Sequence, residues 1–214
     1  MTGVRGVAAW DFDGTITERD TLGGFLVHLA GRRKVGAALA RHSAALRRGL
    51  RDDAARDAAK ELVISDLVRG RAMDDVVAAG RSYSALLPQR FRAEALERIE
   101  WHRTRSHEQV IVSASLVYYL EPLAEQLGFA GVLGVELAAD DQGRCTGRFD
   151  RPNVRAEQKA IRLREWLDAT PADGNGSVPQ QLELWAYGNS SGDDQLLAMA
   201  DHPTWMGRRA GRPT

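Results

Sequence analysis

The 214-residue chain has no excess charge of either sign, a single cysteine and no long apolar segment. Its 29 basic and 29 acidic residues give a formal net charge of +0, which gives no reason to expect a nucleic acid partner. Cys145 cannot form a disulfide within the chain, and this fits a reducing compartment. Because Asp11 and Asp13 interrupt the first apolar run, it predicts neither a secretion signal nor a membrane span. We therefore expect a cytoplasmic protein without a transmembrane segment, unless it docks on the inner face of a membrane.

The most informative segment is an apolar run that ends in two aspartates. Val7 to Trp10 predicts a buried strand, and Asp-Phe-Asp-Gly-Thr follows from Asp11 to Thr15. The carboxyl ends of strands in an open parallel sheet border the ligand crevice, and unpaired buried carboxylates are costly. Asp11 and Asp13 therefore indicate a site for a cation and a phosphate, in which a carboxylate can act as nucleophile. The alternative is a helix-capping aspartate beside a turn aspartate.

The Asp-Phe-Asp-Gly-Thr segment resembles the first motif of the haloacid dehalogenase superfamily, specifically of its phosphatases. This resemblance implies three further elements in order: a strand ending in Ser or Thr, a lysine near a helix start, and a second acidic strand end. It also implies an α/β fold with a Rossmann-like parallel sheet core flanked by helices, into which an α-helical cap is inserted.

The second element is the run from Gln109 to Ser115, which predicts a strand followed by a helix from Leu116 to Leu127. A serine hydroxyl and the N–H groups of a helix start form a phosphate cradle. Ser113 and the backbone of Ala114 are therefore the predicted phosphate-binding groups. The alternative is that Ser113 or Ser115 only caps the helix.

The third element is Lys159, which precedes apolar residues at helical spacing. A lysine near a helix start is disfavoured by the helix dipole, so its position favours an anionic partner, although a surface lysine is the simpler interpretation.

The fourth element is an apolar strand from Leu182 followed by a Gly/Ser loop and acids. Superfamily members usually carry a first aspartate where this chain has Asn189, while Asp193 keeps the second place. We expect weaker Mg²⁺ binding from the uncharged Asn189, not its loss.

The four elements resemble most the subclass that contains phosphoserine phosphatase. Residues 21–90 have helical periodicity throughout and are predicted to form the cap domain. Residues 1–20 and 91–206 are predicted to form the α/β core, and residues 207–214 a flexible tail. Residues 134–139 and 144–149 are expected to form a β-hairpin, and residues 170–180 a surface loop.

The resemblance implies a Mg²⁺-dependent phosphomonoester hydrolase that acts on a small phosphorylated metabolite through an aspartyl-phosphate. Asp11 is then the nucleophile, and Asp13 protonates the leaving oxygen and later deprotonates a water. Lys159 neutralises charge on the phosphoryl group. The implied metal site contains Asp11, the Asp13 carbonyl, Asn189 and Asp193. Within this site, Asp193 is expected to orient a water or Lys159.

The substrate and the class of function leave alternatives. Asp20 lies where family members that bind amino-bearing phosphates place an acid, and it is equally suited to cap the first cap helix. The alternatives to a small-metabolite phosphatase are a phosphatidylglycerophosphate-type lipid phosphatase, a phosphotransferase or mutase, and a non-catalytic phosphate-binding protein. Only Asn189 favours the non-catalytic protein.

Overall fold

The computed structural model describes residues 4–169 and 181–206. Its strands are β1 (Val4–Trp10), β2 (Glu108–Leu116), β3 (Gly131–Val135), β4 (Leu137–Ala139), β5 (Cys145–Phe149), β6 (Gln181–Gly188) and β7 (His202–Trp205). Its α-helices are α1 (Leu22–Ala30), α2 (Arg32–Arg41), α3 (Ser43–Gly49), α4 (Asp53–Val68), α5 (Met73–Ser84), α6 (Ala93–Arg103), α7 (Val117–Leu127), α8 (Glu157–Ala169) and α9 (Asp194–Ala198).

Five parallel strands form one sheet in the order β3-β2-β1-β6-β7. The central strand β1 is fully buried from Val7 to Trp10, which is why it consists of an unbroken apolar run, as expected for a parallel strand covered on both faces. In the register of the sheet, Trp10 pairs with Ile111 of β2 and with Tyr187 of β6. The residues that follow these three strands therefore meet at one edge. The predicted α/β parallel sheet flanked by helices is confirmed.

The structure corrects the expected start of the helix after β2. β2 continues to Leu116, and α7 begins at Val117 without a side-chain cap. Neither Ser113 nor Ser115 caps this helix, so the capping alternative is wrong. The end of α7 is as expected, because Gly128 adopts the left-handed conformation with φ of 72°, which glycine tolerates best.

The predicted hairpin is shorter than the sequence indicated. Gly134 and Val135 belong to β3, which pairs with β2 in parallel at an edge of the main sheet. Only β4 and β5 form the antiparallel hairpin. A parallel strand requires a crossover connection, here α7, and this non-local arrangement has no signature in a short apolar run.

Five helices, α1 to α5, lie between β1 and the return to the sheet through α6. The helical periodicity predicted for residues 21–90 does not show the break at His42, which separates α2 from α3. α5 contacts α7, and α4 contacts β5. No helix of residues 4–169 or 181–206 has the length and hydropathy needed to cross a bilayer. The division into core and cap stays a prediction, and the predicted loop 170–180 and tail 207–214 lie outside the described residues.

Candidate active site

A cavity of about 460 Å³ opens at the edge where β1, β2 and β6 end. All eight residues singled out from the sequence line it: Asp11, Asp13, Asp20, Ser113, Ala114, Lys159, Asn189 and Asp193. The remaining lining residues are Gly14, Glu18, Arg19, Leu22, Lys60, Ser115, Arg155, Ser190 and Gly192. The fold thus brings residues from four separate motifs into one polar cleft.

Lys159 bridges two buried carboxylates in this cavity. It is the third residue of α8, and its Nζ lies 2.6 Å from Asp11 Oδ1 and 2.6 Å from Asp193 Oδ1. The other oxygen of Asp11 accepts a hydrogen bond of 2.9 Å from Thr15 Oγ1. The anionic partners expected from the position of Lys159 at a helix start are therefore present within the protein, and its surface-lysine alternative is wrong.

The charges of this cluster are strongly coupled. Burial raises the pKa of Asp11 to about 6 even though the Lys159 ammonium opposes the shift. Burial alone disfavours the charged form of Lys159, but Asp11 and Asp193 outweigh it, and the pKa of Lys159 is raised. For Asp193 the opposing effect of burial is likewise outweighed by Lys159 and by hydrogen bonds, and its pKa is lowered. Lys159 and Asp193 therefore form the stable ion pair that orients the Asp11 carboxylate.

Asp13 is held at the cavity by two hydroxyl-bearing residues. Its Oδ1 accepts hydrogen bonds of 2.7 Å from Thr21 N and 2.6 Å from Thr21 Oγ1, and its Oδ2 accepts one from Ser115 Oγ. Burial, followed by the nearby charge of Asp20, raises the pKa of Asp13 although these hydrogen bonds oppose the shift. A carboxyl group with a raised pKa keeps its proton to a higher pH than an ordinary aspartate, which suits a group that must give and take a proton.

Ser113 and Ala114 lie at the carboxyl end of β2, where the sequence placed them. Ser113 is almost fully buried, and its Oγ accepts a hydrogen bond of 3.2 Å from Ser115 N. The Ala114 carbonyl accepts a hydrogen bond from Lys60 Nζ of α4. The hydroxyl of Ser113 and the backbone beside it thus border the cavity together with a cation that α4 supplies.

The predicted magnesium ligands Asp11, Asp13 and Asn189 line the same cavity. Gly14 has φ of 80°, and a Cβ atom there would overlap Asn189 Nδ2, so the Asn189 amide lies directly against the backbone after Asp13. An amide oxygen, a backbone carbonyl and the Asp11 carboxylate are hard oxygen donors that fit Mg²⁺. Among the described residues no group of three His, Cys, Asp or Glu side chains is placed to hold a metal ion, so the predicted set depends on the amide and carbonyl oxygens.

Asp193 is better suited to hold the site together than to bind a metal directly. Its Oδ1 binds Lys159, and its Oδ2 accepts hydrogen bonds from Asn189 N at 3.0 Å, Ser190 N at 2.9 Å and Ser190 Oγ at 2.8 Å. Asp193 Oδ2 thus accepts three hydrogen bonds, whereas each oxygen of Asp11 accepts only one. Of the two roles expected for Asp193, its contacts favour the orientation of Lys159.

Asp20 is an exposed residue at the rim of the cavity. Its Oδ1 accepts a hydrogen bond of 3.2 Å from Gly23 N in the first turn of α1, so the helix-capping interpretation agrees with the structure. The same carboxylate lines the cavity. Its pairing with a substrate ammonium stays a prediction.

Three residues that shape the site were not predicted from the sequence. Thr15 and Thr21 fix the two aspartates through their hydroxyl groups. Thr15 belongs to the Asp-Phe-Asp-Gly-Thr motif and could be found from the sequence, whereas the sequence around Thr21 indicates only the start of a helix. Lys60 has no local signal at all in an alanine-rich helix. Burial lowers the pKa of Lys60 to about 8, against the attraction of Asp13 and Asp57.

Comparisons with known proteins find relatives over most of the chain. The family model of haloacid dehalogenase-like hydrolases matches residues 8–198. Protein CicA of Caulobacter vibrioides is 32% identical over 206 residues, which cover 94% of this chain and 87% of that protein.

Two solved structures have the same fold. A protein of unknown function from Bordetella pertussis Tohama I has a TM-score of 0.73 at 21% identity, covering 92% of this chain and 87% of that chain. A substrate-bound phosphoserine phosphatase has a TM-score of 0.59 at 15% identity, covering 92% of this chain and 83% of that chain. With its sheet order, its cleft and the match over most of its length, the chain belongs to the haloacid dehalogenase-like hydrolases.

Proposed function

We propose that the chain is a Mg²⁺-dependent phosphomonoester hydrolase that works through an aspartyl-phosphate on Asp11. One observation carries this proposal: the buried Asp11 carboxylate is held by Lys159 and Thr15 in the same cleft that holds Asp13. A nucleophile, a cation and a second carboxyl group are the parts that phosphoryl transfer through a covalent intermediate needs.

The proposed reaction has two steps. An oxygen of Asp11 forms a bond to phosphorus while the bond to the leaving oxygen breaks, and Asp13 gives its proton to that oxygen. Asp13 then takes a proton from a water that attacks the same phosphorus, which releases inorganic phosphate and restores Asp11. Lys159 and the Ser113 hydroxyl stabilise the charge on the phosphoryl oxygens in both steps.

The cofactor proposed is Mg²⁺, held by Asp11, the Asp13 carbonyl and the Asn189 amide. When bound, it supplies positive charge that offsets the charge of the phosphoryl oxygens. Asn189 contributes an oxygen without charge, so this chain relies on the remaining ligands and on Lys159 for electrostatic attraction to the phosphate.

For the substrate we propose a small phosphorylated metabolite with charged groups of both signs, such as phosphoserine. The wall of the cleft beyond the aspartates carries Arg19, Asp20 and Lys60, and such a lining suits a polar leaving group better than a purely apolar one. A lipid phosphate such as phosphatidylglycerophosphate is the competing substrate class.

The test is a Mg²⁺-dependent hydrolysis assay with phosphoserine, phosphoethanolamine, histidinol phosphate and phosphatidylglycerophosphate. We expect turnover by the wild-type protein and a loss of more than about a hundredfold in Asp11→Asn, because the covalent route is removed. Glu157→Gln, which changes an acid in the first turn of the same helix as Lys159, is the matched control.

Three results would contradict the proposal. An Asp11→Asn variant with more than about 1% of wild-type turnover would exclude Asp11 as the nucleophile. Phosphoenzyme formation without turnover on any of the four substrates would favour a non-catalytic phosphate-binding protein. Transfer of the phosphoryl group to an added alcohol in preference to water would favour a phosphotransferase.

A further inference from the structure

Two neighbouring helices of this chain carry basic residues without any acidic ones. Residues 31–51, which include α2 and α3, contain seven Lys or Arg residues and no Asp or Glu. The seven are Arg32, Arg33, Lys34, Arg41, Arg47, Arg48 and Arg51. Because the whole chain has a formal net charge of +0, its charge is strongly polarised toward this segment. Long-range attraction to an anionic surface follows from such polarity, whatever the total charge.

Most of these charges are not neutralised by the protein. Arg41 pairs with Asp66. The other six basic side chains are exposed and have no ion-pair or hydrogen-bond partner within residues 4–169 and 181–206. Some arginines elsewhere are neutralised by acids, since Arg5 pairs with Glu108 and Arg151 with Glu165. We call the six exposed residues of α2, α3 and their ends the α2–α3 basic surface: Arg32, Arg33, Lys34, Arg47, Arg48 and Arg51.

Two leucines accompany these charges on the outside of the molecule. α2 buries only Val35 and Ala38 of its ten residues, and α3 buries only Gly49. Leu39 is 44% exposed and Leu50 is 77% exposed. A helical segment that presents arginines and lysines together with exposed leucines is typical of protein segments that lie at a bilayer interface.

The positive surface continues into a cavity beside it. This cavity of about 510 Å³ lies between α2 and the end of α4, and its basic lining residues are Lys34, Arg41, Arg69 and Arg71, with Asp66 as its acid. Four cations against one carboxylate leave a net positive recess, which shares Lys34 with the α2–α3 basic surface. Such a recess suits the phosphate of a lipid headgroup.

We propose that the α2–α3 basic surface docks on bilayers that contain anionic phospholipids, with headgroup phosphates against its basic side chains and Leu39 and Leu50 in the interfacial region. Residues 31–51 contain no Asn, Gln, Phe, Tyr or Trp, the side chains that complement arginine in reading and stacking on bases. Exposed leucines contribute nothing against a sugar-phosphate backbone but gain from entering a bilayer interface. The surface therefore fits a membrane better than a nucleic acid.

The first experiment measures co-sedimentation of the full chain with vesicles of phosphatidylcholine alone and of phosphatidylcholine with phosphatidylglycerol. We expect binding only to the vesicles with phosphatidylglycerol, and weaker binding as salt is added, since salt screens attraction to the surface. Every protein in the series keeps residues 207–214, so that Arg208, Arg209 and Arg212 contribute equally.

The second experiment compares two variants that each lose three exposed arginines. Arg33→Gln/Arg47→Gln/Arg48→Gln changes the α2–α3 basic surface, and Arg103→Gln/Arg148→Gln/Arg164→Gln changes exposed positions outside it. Glutamine is nearly as good a helix former as arginine. Since each basic residue near an anionic bilayer contributes roughly a fivefold gain in binding, the first variant should lose about a hundredfold and the second much less. Leu50→Ser, made in the wild-type background, should also bind the vesicles more weakly than the wild type.

Three outcomes would overturn the inference: equal loss of vesicle binding in both triple variants, equal binding of the wild type to both kinds of vesicle, and binding to duplex DNA without binding to vesicles. The last result would assign the surface to nucleic acid.

The proposed membrane docking goes beyond the proposed hydrolase activity. Because vesicle binding is measured without substrate, a failure here leaves that proposal intact, and the first variant should retain its turnover of soluble phosphomonoesters.

Discussion

Lys159 Nζ lies 2.6 Å from Asp11 Oδ1, inside a cleft where neither side chain has much contact with solvent. The same Nζ is 2.6 Å from Asp193 Oδ1. A buried ion pair is weak evidence for net stability, but removal of one partner is costly because a charge is left without compensation. Here Lys159 compensates two carboxylates, so its loss affects the fold as well as the proposed chemistry.

We predict that Lys159→Met lowers the free energy of unfolding by about 3–5 kcal/mol and the rate of hydrolysis by at least about a hundredfold. Urea unfolding and steady-state kinetics measure the two effects separately. The double variant Lys159→Met/Asp193→Asn should regain part of the stability, since only one buried carboxylate then lacks its partner, but none of the activity. Stability losses that simply add would show that Lys159 and Asp193 are not coupled.

We predict that Asp13→Asn slows the breakdown of the phosphoenzyme more than its formation when the substrate is p-nitrophenyl phosphate. The leaving oxygen of p-nitrophenyl phosphate needs little protonation, whereas the water that attacks the phosphoenzyme still needs a base. Rapid-quench measurement of phosphoenzyme formation and decay separates the two steps. Because Thr21 donates two hydrogen bonds to Asp13, Thr21→Val, which removes the hydroxyl donor, should shift the same decay step in the same direction but by less. Equal losses in both steps of Asp13→Asn would contradict the double role.

The buried His102 of α6 indicates a pH effect on stability. His102 is fully buried, with its Nε2 2.9 Å from Tyr187 Oη and its Nδ1 2.8 Å from His107 Nδ1. Burial, together with His107 and nearby arginines, lowers the pKa of His102 to about 3. An unfolded histidine has a pKa of about 6.5. The contribution of the neutral, buried His102 is therefore fully present above about pH 6.5 and is lost progressively as the pH falls toward 3.

We predict that the stability difference between the wild type and His102→Gln narrows on acidification below about pH 6.5, by at most about 1.4 kcal/mol for each pH unit. Urea unfolding of both proteins at several pH values provides the measurement. The comparison cancels the titration of carboxylates that both proteins share. His28→Gln at an exposed position is the control and should follow the wild type. A constant difference across this range would mean that His102 titrates alike in both states.

The features predicted from sequence are those with a strong local signal. The run from Val7 to Trp10, the aspartates after it and the glycine that ends α7 are each defined within a dozen residues. Because parallel strands share one direction, the ends of β1, β2 and β6 meet automatically once the sheet order is known. Asp11 and Ser113 lie at such strand ends, whereas Lys159 lies on α8 and was assigned to the same site only by the resemblance to the haloacid dehalogenase superfamily.

The features that were missed depend on how distant segments pack. The hydrogen bonds of Thr21 to Asp13 and of Lys60 to the Ala114 carbonyl arise from the path of the helical region over the cleft, which helical periodicity does not encode. The break between α2 and α3 at His42 lacks the glycine or proline that marks most helix ends. α3 packs on α4, and a tertiary contact of this kind has no signature in the local sequence.

Asn189 provides the sharpest test of the proposed metal site. We predict that Asn189→Asp lowers the Mg²⁺ concentration for half-maximal activity by about tenfold, which corresponds to about 1.4 kcal/mol. A charged oxygen replaces a neutral one in the ligand set, and cation affinity increases with ligand charge, while repulsion from Asp11, Asp13 and Asp193 limits the gain. Asn189→Ala, which removes the oxygen, should shift the half-saturation concentration in the opposite direction.

Titration calorimetry with Mg²⁺ alone measures the same change in Mg²⁺ affinity without substrate. If both variants leave Mg²⁺ binding unchanged, Asn189 does not face the metal, and the ligand must come from elsewhere in the loop, with Asp194 as the next acid to test.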